Sequence, residues 1–377
     1  MPNQTIQRLR SSKITALALA VSLIAPIALT ATSAPGSAKI SHSYQTLYIP
    51  RAYTPNPPAG ATDDYHCTMV SPKVTQDLMI TGNQFHPGNR EVHHAIMYLI
   101  TPDAAKNAIA LNRGGKGWSC FGETSIGSGM DALSASKWLT AWAPTKHKGL
   151  NSTPAGTGML LPKGSVVVMQ IHYNTLLGKK ADRSRLVIQT TPLKHSGLKP
   201  LVIKQLPAPP DVPCAPGVTG PLCDRNAALA NTQKRFGQDA VNFVNMLERV
   251  CGRDPASPPA ANSTTCTWPV WQSGKLLTVA GHEHLTGRKF SLVLNPGTPG
   301  AKTLLNVKNF NFDDQGAIAL KHAQTLKAGD KLQVNCTWDP KLRQQLPQLK
   351  KQVPRFVTWG AGSSDEMCLA ILGVTAN

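Results

Sequence analysis

The chain has 377 residues, with 39 Lys and Arg against 20 Asp and Glu, and eight cysteines. At roughly 150 residues per domain this length predicts two domains, each able to bury a core, which excludes disorder over the whole chain. The net charge of +19 comes from scattered residues, with no run longer than Lys179-Lys180 or Lys350-Lys351, so it reads as a solvated basic surface rather than a nucleic-acid footprint.

Residues 1–38 read as a targeting segment. Arg8, Arg10 and Lys13 form a basic start without acidic residues, and Ile14 to Leu29 is apolar apart from Thr15 and Ser22. Gly36 and Ala38 stand at the −3 and −1 positions of a cleavage site before Lys39. The apolar run is short for a membrane span, so a cleaved export signal is expected, with no integral membrane span after its removal. A secreted location follows, extracellular or periplasmic. Eight cysteines in an exported chain imply up to four disulfides, and none forms the CxxC of a zinc ribbon.

Residues 39–198 alternate short apolar runs with Pro, Gly and Asn turns, as an antiparallel sandwich does. The clearest strand runs from Ser165 to Tyr173. Its period of two places Val166, Val168, Gln170 and His172 on one face and Val167, Met169, Ile171 and Tyr173 on the other. Residues 199–377 are expected to form a second sandwich. There a turn at Lys327 to Asp330 leads into Lys331 to Trp338, with Leu332, Val334, Cys336 and Trp338 on one face. Between the two, about 207–266, prolines bracket a helical stretch from Asp224 to Arg249, and four cysteines fall there. The expectation is all-β: two antiparallel, jelly-roll-like β-sandwich domains, the second carrying a partly helical, disulfide-pinned insertion.

Five of the eleven histidines sit in three tight contexts. His282 and His284 lie two apart, so a strand would aim both imidazoles at one ion. Adjacent His93 and His94 point to opposite sides of a flat strand and share an ion only where the strand twists or bulges. A third ligand must then come from elsewhere, and His172, on its own strand, is a candidate for it. Each motif alone is weak, because a lone strand histidine is more often a hydrogen-bonded structural residue. Together, in an exported β-rich chain, they favour metal binding. Near the C-terminus lies Ser363-Ser-Asp-Glu-Met-Cys368. A thioether such as Met367 is a poor zinc ligand but suits Cu(I), although spacing alone would make Met367 a core residue. Surface or loop positions are expected for His42, His66, His86, His147, His195 and His322, and Glu283 is expected to face away from the metal.

With these motifs in view, the chain resembles the copper type II, ascorbate-dependent monooxygenases, which include peptidylglycine α-hydroxylating and dopamine β-monooxygenases. The likeness runs from about Tyr65 to the C-terminus and rests on His93-His94, Gln170 to Tyr173, His282 to His284 and Ser363 to Cys368, in the family's order. It implies two copper ions, O2, and ascorbate or another one-electron reductant. By that resemblance His93, His94 and His172 bind the electron-transfer copper. His282, His284 and Met367 bind the copper that meets O2 and substrate. It also implies disulfides Cys67–Cys120 and Cys336–Cys368, and a supporting role for Tyr65 beside the first site. The substrate is expected to be a small molecule or peptide-like. The family's arginine and the Asn and Tyr that grip a peptide carboxylate are replaced here by Ala280, Leu369 and Ile371, which argues against a peptidylglycine. A copper-binding protein without turnover, for storage or delivery in the cell envelope, is the alternative. A zinc hydrolase would leave Met367 and the His93-His94 pair without a task.

Overall fold

The computed structural model describes residues 41–58, 62–70, 74–120, 124–127, 136–143, 149–194 and 196–376; the expected export signal, His147 and His195 lie outside them. Strands dominate, in the antiparallel layers expected. A five-stranded sheet runs in the order Trp118–Ser119, Asp63–Met69, Val166–Asn174, Val92–Ile100, Ser136–Trp142. Its inner face contributes Met97, Leu99, Val167, Met169, Ile171 and Tyr173 to a buried core, against Leu47, Ile80, Phe85 and Ile188 from the opposite sheet. The other face is covered by a smaller cluster around Cys67, Cys120, Tyr98 and Val168. Both halves of the period-two pattern in Val166–Asn174 are therefore buried.

The second half repeats the design. A four-stranded sheet, ordered Ser263–Pro269, Lys331–Trp338, Gly287–Leu294, Lys302–Val307, supplies Leu332, Val334, Cys336 and Trp338 to a second core. A single nine-stranded sheet backs both cores. It passes from one half to the other where Lys199 and Pro200 pair in parallel with Thr157 and Gly158. Thus the strand that opens the expected second domain, Lys199–Pro207, is hydrogen-bonded to the last outer strand of the first, Thr157–Leu161.

The stretch expected to be helical forms two helices, Arg225–Phe236 and Gln238–Val250. Asp224 caps the first by accepting from the Ala227 amide at 2.8 Å. Gly237, at φ +86°, separates them in a backbone conformation that side chains disfavour. Disulfides Cys214–Cys223 and Cys251–Cys266 flank the pair. The remaining bonds are Cys67–Cys120 and Cys336–Cys368, the two implied by the family resemblance. No helix among the described residues is long and apolar enough to cross a membrane.

One histidine departs from expectation. His42 and His322 are exposed, but His66 lies in the strand Asp63–Met69 and is 8 % exposed. Its ring stacks on Tyr53 at 3.6 Å between centroids, and Nε2 donates to the Lys116 carbonyl at 3.0 Å. Both faces of that strand are covered, so its polar residues are drawn inside with it.

Candidate metal centres

His93 and His94 lie on Val92–Ile100, beside His172 on Val166–Asn174. Val92 pairs with Tyr173 and His94 with His172, so His93 is the extra residue of a β-bulge. The bulge removes the alternation that would part the two side chains. Ring nitrogens of His93, His94 and His172 all lie within 4.8 Å of one another. Nδ1 of His94 is 3.4 Å from Nδ1 of His93 and 3.0 Å from Nδ1 of His172.

The surrounding groups orient these rings. Nε2 of His172 donates to Asp63 Oδ1 at 2.7 Å, and Ser363 Oγ donates to the same oxygen at 2.9 Å. A carboxylate on one ring nitrogen places the proton there and leaves the other lone pair, on Nδ1, facing the cluster. Burial alone would raise the Asp63 carboxyl, but the His172 hydrogen bond and charge, with Ser363 and Thr62, bring it down to about 2. Tyr65, paired with His172 across the strands, stacks on its ring at 4.2 Å and 7°. Its hydroxyl donates to the Ala361 carbonyl. Burial, then the neighbouring His172, pushes His93 down to about 3 and His94 well below its usual range. These imidazoles are neutral at pH 7, the form a metal requires.

The second set lies at the end of Gly274–His282. His282 pairs with Leu369 and Ala280 with Ile371, so these residues adjoin at the strand end that carries His282. The ladder ends at that pair, and Met367 precedes Leu369 by two residues. Nδ1 of His282 donates to Gln315 Oε1 at 2.6 Å, and Nδ1 of His284 donates to the Asp365 carbonyl at 3.2 Å. In both rings Nε2 is left as the lone-pair nitrogen. Glu366 locks the turn that carries His284: its carboxylate accepts from the His284 and Thr286 amides at 2.8 Å each, the Thr286 hydroxyl at 2.6 Å and Trp338 Nε1 at 2.9 Å. Disulfide Cys336–Cys368 fixes the residue after Met367. Glu283 is fully buried and lies close enough to Glu366 to feel its charge; burial first, then Glu366, pushes its carboxyl up to about 10.

Phe312 joins the two sets. Its ring stacks on His93 at 4.5 Å and meets His284 edge-on at 6.1 Å. Gln315, which holds His282, also donates to the Phe312 carbonyl at 2.7 Å. A cavity of about 510 Å³ opens beside them, lined by Val92, His93, Leu176, Leu285 and Phe312 among others. Sequence reasoning named the five imidazoles and the motif that Ser363 opens, but missed Asp63, Phe312 and Gln315 and the bond from Ser363 to Asp63. Asp63, Phe312 and Gln315 carry no motif; only the fold brings them near.

The imidazoles of His93, His94 and His172 are donors that suit copper in either oxidation state, and a thioether such as Met367 added to His282 and His284 would favour Cu(I). The buried Nε2 of His93 has no hydrogen-bond partner among protein atoms.

No family model matches the chain. Among solved structures, PNGF-II aligns at TM-score 0.32 and 12 % identity, covering 88 % of this chain and 65 % of that one. The STIV MCP aligns at 0.30 and 7 %, covering 89 % and 97 %. A peptide-N(4)-(N-acetyl-β-D-glucosaminyl) asparagine amidase aligns at 0.27 and 7 %, covering 88 % and 100 %.

Proposed function

We propose that the protein is an exported two-copper monooxygenase, hydroxylating a substrate C–H bond with O2 and an external one-electron reductant such as ascorbate. The observation that carries this reading is the convergence of five imidazoles, four of which have an assigned lone-pair nitrogen. Nδ1 of His172 is left by the Asp63 bond, Nε2 of His282 by the Gln315 bond, and Nε2 of His284 by the Asp365 carbonyl, while His93 keeps a buried Nε2.

His93, His94 and His172 would hold the electron-transfer copper, and His282, His284 and Met367 the copper that meets O2. Copper, when bound, supplies the O2 activation and one-electron chemistry that no side chain provides. The chain's own part is positional. Asp63 and Tyr65 keep the His172 ring in plane, and Gln315 and Asp365 fix the tautomers of the second set. Phe312 packs against a ring of each set, His93 and His284. The cavity wall mixes apolar Val92, Leu176, Leu285 and Phe312 with Arg90, Asn174, Asp313 and Gln348, which suits a small molecule or peptide-like substrate carrying both apolar and polar groups.

Two coppers per chain are expected by metal analysis. The Met367→Ile variant should keep copper on the triad and lose substrate-dependent O2 consumption, tested over a panel of small apolar and peptide-like compounds. Fewer than two coppers overturns the proposal. Reoxidation of the reduced, copper-loaded protein without saturable dependence on any organic compound identifies a carrier instead.

A further inference from the structure

Behind the segment that presents Met367, three guanidinium groups from separate elements meet. Arg235, in the last turn of Arg225–Phe236, donates through Nη2 to Asp365 Oδ1. Arg355 Nη1 is 3.7 Å from the same oxygen. Arg343, in the short helix Leu342–Gln345, donates through Nη1 to the Ser364 carbonyl at 2.7 Å. Arg343 is 5 % exposed and Arg355 6 %. Yet Nε and Nη2 of both, and Nε of Arg235, are buried with no hydrogen-bond partner among protein atoms.

The charges do not balance. Three cations face two carboxylates: Asp365 is held by Arg235 and Arg355, while Glu366, whose oxygens accept from His284, Thr286 and Trp338, reaches Arg343 only through its charge. An uncompensated buried charge costs far more than a hydrogen bond returns, and guanidinium N–H groups are built to meet planar or tetrahedral anions. Water would fill the unused N–H groups but leave the charge. Burial also pulls Arg355 down to about 10, with Arg235 and Arg343 adding to the effect and Asp365 opposing it.

We propose that Arg235, Arg343 and Arg355 hold one small inorganic anion, a halide or a tetrahedral oxyanion, against the segment Ala361 to Met367. Size follows from burial: with Arg343 and Arg355 enclosed, a bulky organic acid does not reach them. The anion stiffens Ser364 and Asp365, whose carbonyls accept from Arg343 and His284. This assignment does not depend on which metal the histidines bind.

The test exchanges the purified protein into sodium gluconate and adds chloride or phosphate at constant ionic strength while thermal unfolding is followed. One ion should raise Tm along a saturating single-site curve, of the form expected when a ligand binds only the folded state. Arg355→Gln should weaken that ion's apparent affinity by about tenfold or more, the size of one lost charge-assisted contact. Crystals of the parent protein grown in bromide should show one anomalous peak within hydrogen-bond reach of Arg343 and Arg355. Equal, unsaturating responses to every anion including gluconate would overturn the proposal, as would an unchanged curve in Arg355→Gln. Should that variant fail to fold, water alone at the bromide position in the parent crystals would overturn it.

Discussion

Asp63→Asn probes how the first histidine set is held. Asparagine has the same shape and can place its carbonyl oxygen where Oδ1 accepts from His172 at 2.7 Å and Ser363 at 2.9 Å. Its amide nitrogen then replaces Oδ2 and faces the Thr62 hydroxyl, 3.2 Å away, which can accept. The geometry survives and the charge goes. Two charge-assisted hydrogen bonds become neutral ones, each about half as strong, and the His172 ring loses the carboxylate that makes its Nδ1 a better donor to metal. Losses of this kind cost about 10- to 100-fold in metal affinity, or about 1.4–2.7 kcal/mol. The assay is competition for Cu(I) against a chelator of known affinity at pH 7, with copper counted per chain. Affinity at the triad should fall in that range while the site on His282 and His284 is unmoved, and far-ultraviolet circular dichroism should be unchanged. An affinity within twofold of the parent would refute the idea that Asp63 tunes this site. Equal weakening of both sites would point to a general loss of structure.

Three further perturbations test separate parts of the fold. Gly281→Ala places a methyl group 2.4 Å from Cδ1 of Phe290, a ring with 1 % exposure; overpacking of this kind costs about 1–3 kcal/mol, so calorimetry should show Tm lowered by several degrees, and an unchanged Tm would mean the strand end carrying His282 shifts freely. Glu248 is buried between Arg225 and Arg253, 3.9 and 3.8 Å away, and burial first, then the neighbouring Asp211, pushes its carboxyl above the usual carboxylate range. The folded chain thus keeps a proton that the unfolded chain releases near pH 4.5, so stability should fall as pH rises above about 5; Glu248→Gln has no such proton, and parallel Tm-against-pH curves for the two proteins would refute the assignment. Replacing both Cys336 and Cys368 by Ser removes a bond closing 32 residues of separation, worth about 3–4 kcal/mol on chain entropy. Denaturant unfolding should register that loss, and copper on the Met367 side should weaken more than on the triad.

Strand positions were legible where period two coincided with burial. Leu332, Val334, Cys336 and Trp338 share a face by alternation and all enter the second core. Val167, Met169, Ile171 and Tyr173 do the same in the first. The joint use of His93 and His94 could only be read as conditional, because the bulge that unites them is set by how Val92–Ile100 pairs with its neighbour, not by its own residues. Phe312 and Gln315 lie in the connection between Lys302–Val307 and Ile318–Leu326, where no periodicity marks a residue. Asp63 and Ser363 are 300 positions apart. From Asp224 to Arg249 no proline interrupts, so the sequence predicts one helical stretch; the backbone conformation at Gly237 ends one helix and starts the next. His66 was misjudged because a histidine resembles a surface residue until a tyrosine ring covers it.

The shared nine-stranded sheet makes residues 157–158 and 199–200 a seam rather than a joint. Severing the chain there would bare the strand edges at Thr157 and Gly158 on one fragment and at Lys199 and Pro200 on the other, edges that can recruit stray strands. The halves would be sticky apart, and bending between them would have to strain or unzip ladder bonds. The strand that ends at His282 is thus tied to the first half by backbone bonds, while the triad's own sheet is held against that ladder by side chains of the first core.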